Sequence, residues 1–268
     1  MSFLAACVQI QGSSDVDRNA RTTEALIRRS AGRGAALVCT PEATDYLGPH
    51  KDKVRLAEAI NGPLVQGWSA LAKELKITLL IGSFAEATGT DRPANTSLLF
   101  GPDGQLLAYY RKVHLFDVDV PGGVQFLEST TTTPGDELVN VASEVGQIGL
   151  SICYDLRFPG LYQALAKRGA QLLTVPSAFT LMTGKDHWHA LLRARAIENQ
   201  CYVLAPGQWG HHDDGGLRES YGRSCIIDPW GQILAECPDG EGICMAEIDL
   251  EAQASLRQRM PVLEHRRY

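Results

Sequence analysis

The sequence predicts an α/β protein, and three observations carry the prediction. Short apolar runs alternate with longer stretches of helical periodicity, the middle of the chain holds a hairpin joined by proline and glycine, and two strand-then-helix units follow it. With 268 residues the chain is long enough to bury a full core.

Taken in order, a strand is expected over Leu4–Ile10, a helix over Val16–Arg29, a strand over Ala35–Thr40, a helix over Leu64–Leu75 and a strand over Ile77–Phe84. Thr96–Phe100 and Leu106–Tyr110 flank Pro102-Asp103-Gly104, which is hairpin chemistry, so part of the sheet is antiparallel. The strand Ile148–Cys153, a helix over Leu161–Lys167, the strand Leu172–Val175, a helix over Trp188–Asn199 and the strand Tyr202–Ala205 form the βα units. Ser224–Ile227, an Asp228-Pro229-Trp230-Gly231 turn, Ile233–Glu236 and Ile243–Ile248 close the chain before a short polar helix. No proline- or serine-rich linker divides it, so 1–268 is expected to be one domain, with a core of about 4–248 and a C-terminal extension over 249–268.

Composition removes several classes. Charged residues at 21% and hydrophobic ones at 44% exclude a disordered or collagen-like chain. A net charge of -6 with scattered basic residues argues against a nucleic-acid partner, and no apolar stretch reaches membrane-spanning length. Met1 to Gln11 lacks a basic region before its apolar run, so a cytoplasmic location is expected. The seven cysteines are odd in number and form no C-x-x-C pair, which makes them reduced thiols. His211-His212-Asp213-Asp214-Gly215-Gly216 reads as a solvated loop rather than a metal cluster, and the glycosylation match at Asn95-Thr96-Ser97 is idle in such a compartment.

Three polar residues stand just beyond apolar strands: Glu42, Lys112 and Cys153. Strand ends are where open α/β sheets hold ligands. A free thiol is mostly protonated at neutral pH, so a cysteine nucleophile needs an adjacent base or cation, and a carboxylate with an ammonium supplies both. An ammonium beside a backbone N–H also stabilises the oxyanion formed at an amide carbonyl, so the set requires neither metal nor cofactor.

Thr40-Pro41-Glu42, Tyr110-Arg111-Lys112-Val113-His114-Leu115-Phe116-Asp117 and Ile152-Cys153-Tyr154-Asp155-Leu156-Arg157-Phe158-Pro159 resemble the three signature segments of the nitrilase-like, or carbon–nitrogen hydrolase, superfamily. The similarity runs from about Leu4 to the C-terminal region and includes Pro176-Ser177-Ala178-Phe179 and Asp228-Pro229-Trp230-Gly231. It implies an α-β-β-α sandwich that dimerises into an eight-layer sandwich, as a homodimer or a higher oligomer. Phe126-Leu127-Glu128-Ser129 matches the position of a further family glutamate, which makes Glu128 the residue that orients Lys112. Where the family often has glutamate after the proline of the cysteine segment, this chain has Gly160.

The resemblance implies that Glu42 takes the proton of Cys153 as the thiol attacks, that Lys112 and the Tyr154 N–H hold the oxyanion, and that a thioester is hydrolysed by water. Asp155 is expected to serve the helix entry and to pair with Arg157. The segment Asp186 to Val203 and the ending His265-Arg266-Arg267 resemble the deaminated glutathione amidase branch, whose reaction gives α-ketoglutarate and cysteinylglycine. That substrate carries carboxylates, so a further pocket cation is expected, Arg157 or Arg193, while Arg193, Arg195 and Glu198 also suit a surface ion-pair face. Phe179 and Thr180 are candidate wall residues. An ω-amidase acting on α-ketoglutaramate, an N-carbamoyl amino acid hydrolase and a catalytically idle scaffold remain as alternatives.

Overall fold

In the computed structural model, which describes residues 2–119, 125–213 and 218–267, the first strand, β1 (Ser2–Gln9), is buried from Ala5 onward. Alternate residues serve opposite faces. Ala5 and Cys7 join an interior cluster with Leu37 and Leu80, whereas Ala6 and Val8 join a second cluster with Ile27, Val38 and Leu79. A strand covered on both faces needs apolar residues on both, which is why its sequence is a continuous run.

Helix α1 (Val16–Gly32) is capped by Asp15, whose side chain accepts from Arg18 N–H, and β2 (Ala35–Cys39) pairs parallel beside β1. After α2 (His50–Leu56), α3 (Pro63–Leu75) leads into β3 (Thr78–Glu86). Leu26 and Ile27 of α1 with Val65, Trp68 and Leu71 of α3 cover the outer face of this sheet. The expected hairpin is formed by β4 (Ala94–Phe100) and β5 (Leu106–Arg111), and β6 (Asp117–Asp119) with β7 (Gln125–Leu127) makes a short ribbon.

The second half of the chain supplies β8 (Asn140–Ser143), β9 (Gly146–Leu150), α4 (Pro159–Lys167), β10 (Leu172–Thr174), α5 (Leu181–Asn199) and β11 (Tyr202–Ala205), with β9, β10 and β11 parallel. A ribbon of β12 (Trp209–His211) and β13 (Glu219–Tyr221) follows, then β14 (Cys225–Ile227), β15 (Ile233–Glu236) and β16 (Gly242–Asp249). Because β16 crosses back to pair antiparallel with β1, the sheets run β16-β1-β2-β3-β4-β5 and β15-β14-β11-β10-β9-β8. Cys7, Leu37 and Leu80 of the first share one cluster with Ile148, Leu172 and Leu204 of the second, and α4 and α5 pack on the second sheet. This is the α-β-β-α sandwich that the sequence resemblance implies.

The final helices, α6 (Leu250–Arg259) and α7 (Val262–His265), are not loose ends. Gln253 donates to the carbonyls of Gln171 and Gln200 at 2.8 and 2.9 Å, and Arg257 donates to those of Ala170 and Gln200, so α6 ties down the segments that enter β10 and β11.

Three expectations need correction. Helix α5 begins at Leu181 rather than Trp188, because its first turns are set by packing and not by apolar period: a Cβ at Gly184 would meet Tyr221 Cβ at 2.4 Å. Strand β9 ends at Leu150 rather than Cys153, since Ile152 N–H turns to the Asp155 carboxylate and Cys153 N–H to Pro176 O. The segment read as a solvated loop contains a buried histidine: His212 pairs through Nδ1 with Gly12 O and through Nε2 with Ser220 Oγ, both at 2.8 Å. Asp213 accepts from Ser14, while Asp214, Gly215 and Gly216 lie outside the described residues.

Candidate active site

Glu42 sits in the loop after β2, and that loop presses on β3. A Cβ at Gly82 would fall 2.1 Å from Thr40 O and 2.2 Å from Pro41 O, so only glycine admits the approach. Ser83 Oγ accepts from Ala43 N–H at 2.8 Å, and Gln208 Nε2 donates to the carbonyl of Glu42 at 2.8 Å. Gln208 follows β11 of the second sheet, so both sheets hold this loop.

Lys112 follows β5, with its N–H donated to Asn95 O at 2.9 Å. Its side chain is 2% exposed, and Nζ donates to Glu42 Oε1 and Glu128 Oε2, each at 2.9 Å. Glu128 opens a 3-10 turn and also accepts from Phe116 N–H at 2.7 Å. Burial works against its charge, but the Lys112 and Lys53 ammoniums and the Phe116 N–H outweigh it and bring the carboxyl down to about 2. Burial likewise opposes the Lys112 charge, and Glu128 and Glu42 still raise that ammonium well above its ordinary range.

Cys153 has a left-handed backbone, φ 47°, which puts its side chain at a sharp turn between β9 and the 3-10 turn Cys153–Arg157. Burial first, and the neighbouring Glu42 second, raise its thiol well above the ordinary value, so the group rests as a thiol hydrogen-bonded to Glu42. Tyr154 follows at the start of the 3-10 turn, where N–H groups have no partner within the turn.

Asp155 departs from expectation in its partners. It does cap the turn, accepting from Ile152 N–H at 2.8 Å, but it is fully buried and takes Tyr110 Oη at 2.7 Å, His114 N–H at 3.1 Å and His114 Nδ1 at 2.7 Å. It therefore ties the lysine segment to the cysteine segment. Arg157 instead lies against His187 Nδ1 and over the rings of Tyr154 and Phe179. Gly160 has nothing within 4 Å of a built Cβ, so the departure from the family pattern meets open space.

One cavity brings together Glu42, Lys112, Glu128, Cys153, Tyr154, Arg157, Phe179 and Thr180. Arg193 is elsewhere, donating Nε to Gly231 O at 2.8 Å. Arg195 is not a surface residue: it is buried, donates to Leu156 O at 2.7 and 3.1 Å, and braces the back of the cysteine turn. Sequence reasoning missed Lys53, Arg218 and Asn95, which also line the cavity. Lys53 is on the short helix α2, which carries no apolar period to reveal its inner face, while Asn95 was visible only as an idle sequence match. Among the described residues no group of three His, Cys, Asp or Glu is arranged to hold a metal ion.

The profile of the family described as Carbon-nitrogen hydrolase matches residues 4–258. The deaminated glutathione amidase of Homo sapiens is 43% identical over 98% of this chain and 82% of its own length, and the omega-amidase NIT2 of Homo sapiens is 42% identical over 99% and 95%. Among solved structures, the NitFhit protein of C. elegans superposes with a TM-score of 0.93 at 41% identity, over 99% of this chain and 65% of that longer chain. An amidase from Nesterenkonia sp. AN1, with an acetamide moiety covalently added at its active-site cysteine, gives 0.82 at 26% identity over 99% and 94%. The chain belongs to the carbon-nitrogen hydrolase family, the nitrilase-like superfamily, and is an enzyme of that family.

Proposed function

We propose that the protein hydrolyses a small carboxamide that carries carboxylates, through a Cys-Glu-Lys mechanism and a thioester intermediate, with deaminated glutathione as the substrate. The observation that carries this reading is the charge of the cavity. Its described lining holds four cations, Lys53, Lys112, Arg157 and Arg218, against two carboxylates, Glu42 and Glu128, in a chain whose net charge is -6. A locally cationic cavity in an acidic protein favours an anionic substrate.

In the first half of the reaction Cys153 Sγ attacks the amide carbonyl while its proton passes to Glu42. Lys112 Nζ and the Tyr154 N–H receive the developing oxyanion. Collapse breaks the carbon–nitrogen bond, the Glu42 proton leaves on the amine, and an acyl thioester remains on Cys153. In the second half Glu42 takes a proton from water, hydroxide adds to the thioester, and the thiol departs with that proton. Glu128 holds Lys112 throughout. A covalent adduct at the active-site cysteine of the Nesterenkonia amidase supports the thiol assignment by analogy. Phe179 and Thr180 form the wall, and Arg157 with Lys53 and Arg218 binds carboxylate.

The same reading takes residues 1–268 as one domain that works without metal or cofactor in the cytoplasm. It takes the assembly as a homodimer, supported by the exposed apolar residues Ile197, Trp230, Ile233 and Leu234 around α5 and β15. Deaminated glutathione and α-ketoglutaramate present the same acyl side, so the leaving side decides between them. Measuring kcat/KM for both in one preparation tests the substrate: a preference of at least about tenfold for deaminated glutathione is expected. Equal values, or the reverse preference, move the assignment to an ω-amidase.

A further inference from the structure

The floor of the cavity holds two carboxylates and one ammonium, all nearly withdrawn from water. Two carboxylates sharing so dry a site ordinarily force one of them to take a proton. Lys112 meets part of that demand, donating to one oxygen of each. A second donor lies between them. Asn95 is buried at the beginning of β4, and its Nδ2 donates to Glu42 Oε1 at 2.9 Å and to Glu128 Oε1 at 3.2 Å. A primary amide has two N–H bonds, and here each goes to a different carboxylate. The backbone carbonyl of the same residue accepts the Lys112 N–H, so one residue registers all three charged groups.

Resting on the thiol mechanism proposed above, we infer that Asn95 is a positioning residue for hydrolysis, keeping Glu42 and Glu128 side by side in ionised form and fixing which Glu42 oxygen faces the thiol. Oε1 of Glu42 already accepts from Lys112 and Asn95, each at 2.9 Å, which occupies its lone pairs. Oε2 accepts the Ala178 N–H at 2.8 Å, leaving it room for the thiol, and that same N–H lies against Cys153. Oε2 is therefore the oxygen turned to the thiol. Without the amide, only Lys112 and the Ala178 N–H hold the carboxylate, and its orientation is less firmly fixed. Neutrality matters too: a cation at this position would hold the base ionised so firmly that it could not accept the thiol proton, whereas an amide steadies the charge and still lets it be neutralised.

The test is Asn95→Leu, which keeps the branched skeleton and removes both donors, assayed with α-ketoglutaramate beside Cys153→Ala. Expected are a kcat lowered by about ten- to a hundredfold, a KM within about threefold, and a low-pH arm of kcat/KM moved up by about one pH unit. An unchanged thermal midpoint and near-UV spectrum would mark the variant as folded. A folded Asn95→Leu protein with parental kcat, or with reduced kcat and an unmoved arm, overturns the inference while the inactivity of Cys153→Ala leaves the mechanism standing. Activity in Cys153→Ala overturns the mechanism itself. If Asn95→Leu does not fold, Asn95→Ser replaces it, since one short hydroxyl cannot reach both carboxylates, and the same shift of the arm is required.

Discussion

Two thiol environments in this molecule are alike in burial and different in company. Between the sheets, burial lifts the Cys7 thiol to about 11 and pushes Cys39 and Cys225 up as well, with apolar neighbours such as Ala5, Leu37 and Leu80 in the same cluster. Burial also leads the rise at Cys153, yet there the next influences are Glu42 and Lys112, and the side chain opens on the cavity. A lowered thiol pKa is therefore not what separates the proposed nucleophile from the other buried thiols. The difference is a carboxylate within reach of the proton, so in the proposed mechanism the thiolate is made during attack rather than stored beforehand.

The sharpest way to break this comparison is Cys153→Ala, expected to lower turnover at least about a thousandfold while the circular dichroism spectrum and thermal midpoint stay close to the parent. Substantial remaining activity would put another of the seven thiols in its role. Neutral-pH alkylation with iodoacetamide probes the same contrast by rate: Cys153 is expected to react first, and loss of that lead in Glu42→Gln would tie it to the carboxylate.

A smaller effect separates the charges of the cavity from its chemistry. For Lys53→Met, the ratio of kcat/KM for α-ketoglutaramate to that for butyramide should fall about tenfold, the loss of one charge-assisted hydrogen bond. A ratio that does not move would take Lys53 out of carboxylate binding.

How much of this was legible in the sequence depends on whether a residue works alone or through a neighbour. The strand-end positions of Glu42, Lys112 and Cys153 stand out because a polar residue closing an apolar run is a local signal. Asp155 was read locally too, and its capping of Ile152 followed, but Tyr110 and His114 are more than forty residues away and nothing local announces them. Arg195 misled for the complementary reason: helical spacing to Glu198 looks like a solvent-exposed ion pair until α5 is laid against the cysteine turn. Strands covered on both faces were read well from their continuous apolar runs, whereas the first turns of α5, set by Gly184 against Tyr221, had no pattern to read.

Stability against pH gives a further contrast. Glu128 has an ordinary value of 4.5 and is held at about 2 in the folded chain, so the folded state binds this proton less readily than the unfolded one. Its contribution is present in full above pH 4.5 and is lost as pH falls toward 2. Denaturation followed from pH 6 to pH 2 should show a flatter decline in Glu128→Gln than in the parent; parallel curves would deny the carboxylate that role. The smallest effect belongs to the core thiols. Cys7→Ala and Cys225→Ala should each retain activity and lose about 1 kcal/mol of stability in a urea titration, and loss of turnover in a folded variant would dissolve the distinction between the two environments.

Glu42 and Lys112 are carried by the first sheet and Cys153 by the second, with Gln208 reaching across to the Glu42 carbonyl. In the proposed mechanism, catalysis is a gauge of how the two layers are seated. Because each sheet has its own ladder of hydrogen bonds, a displacement of one layer against the other would part the Glu42 carboxylate from the Cys153 sulfur without unwinding a strand. In the proposed mechanism turnover is therefore expected to fade on warming before the far-ultraviolet signal does, and an activity loss that coincides with the circular dichroism transition would deny it.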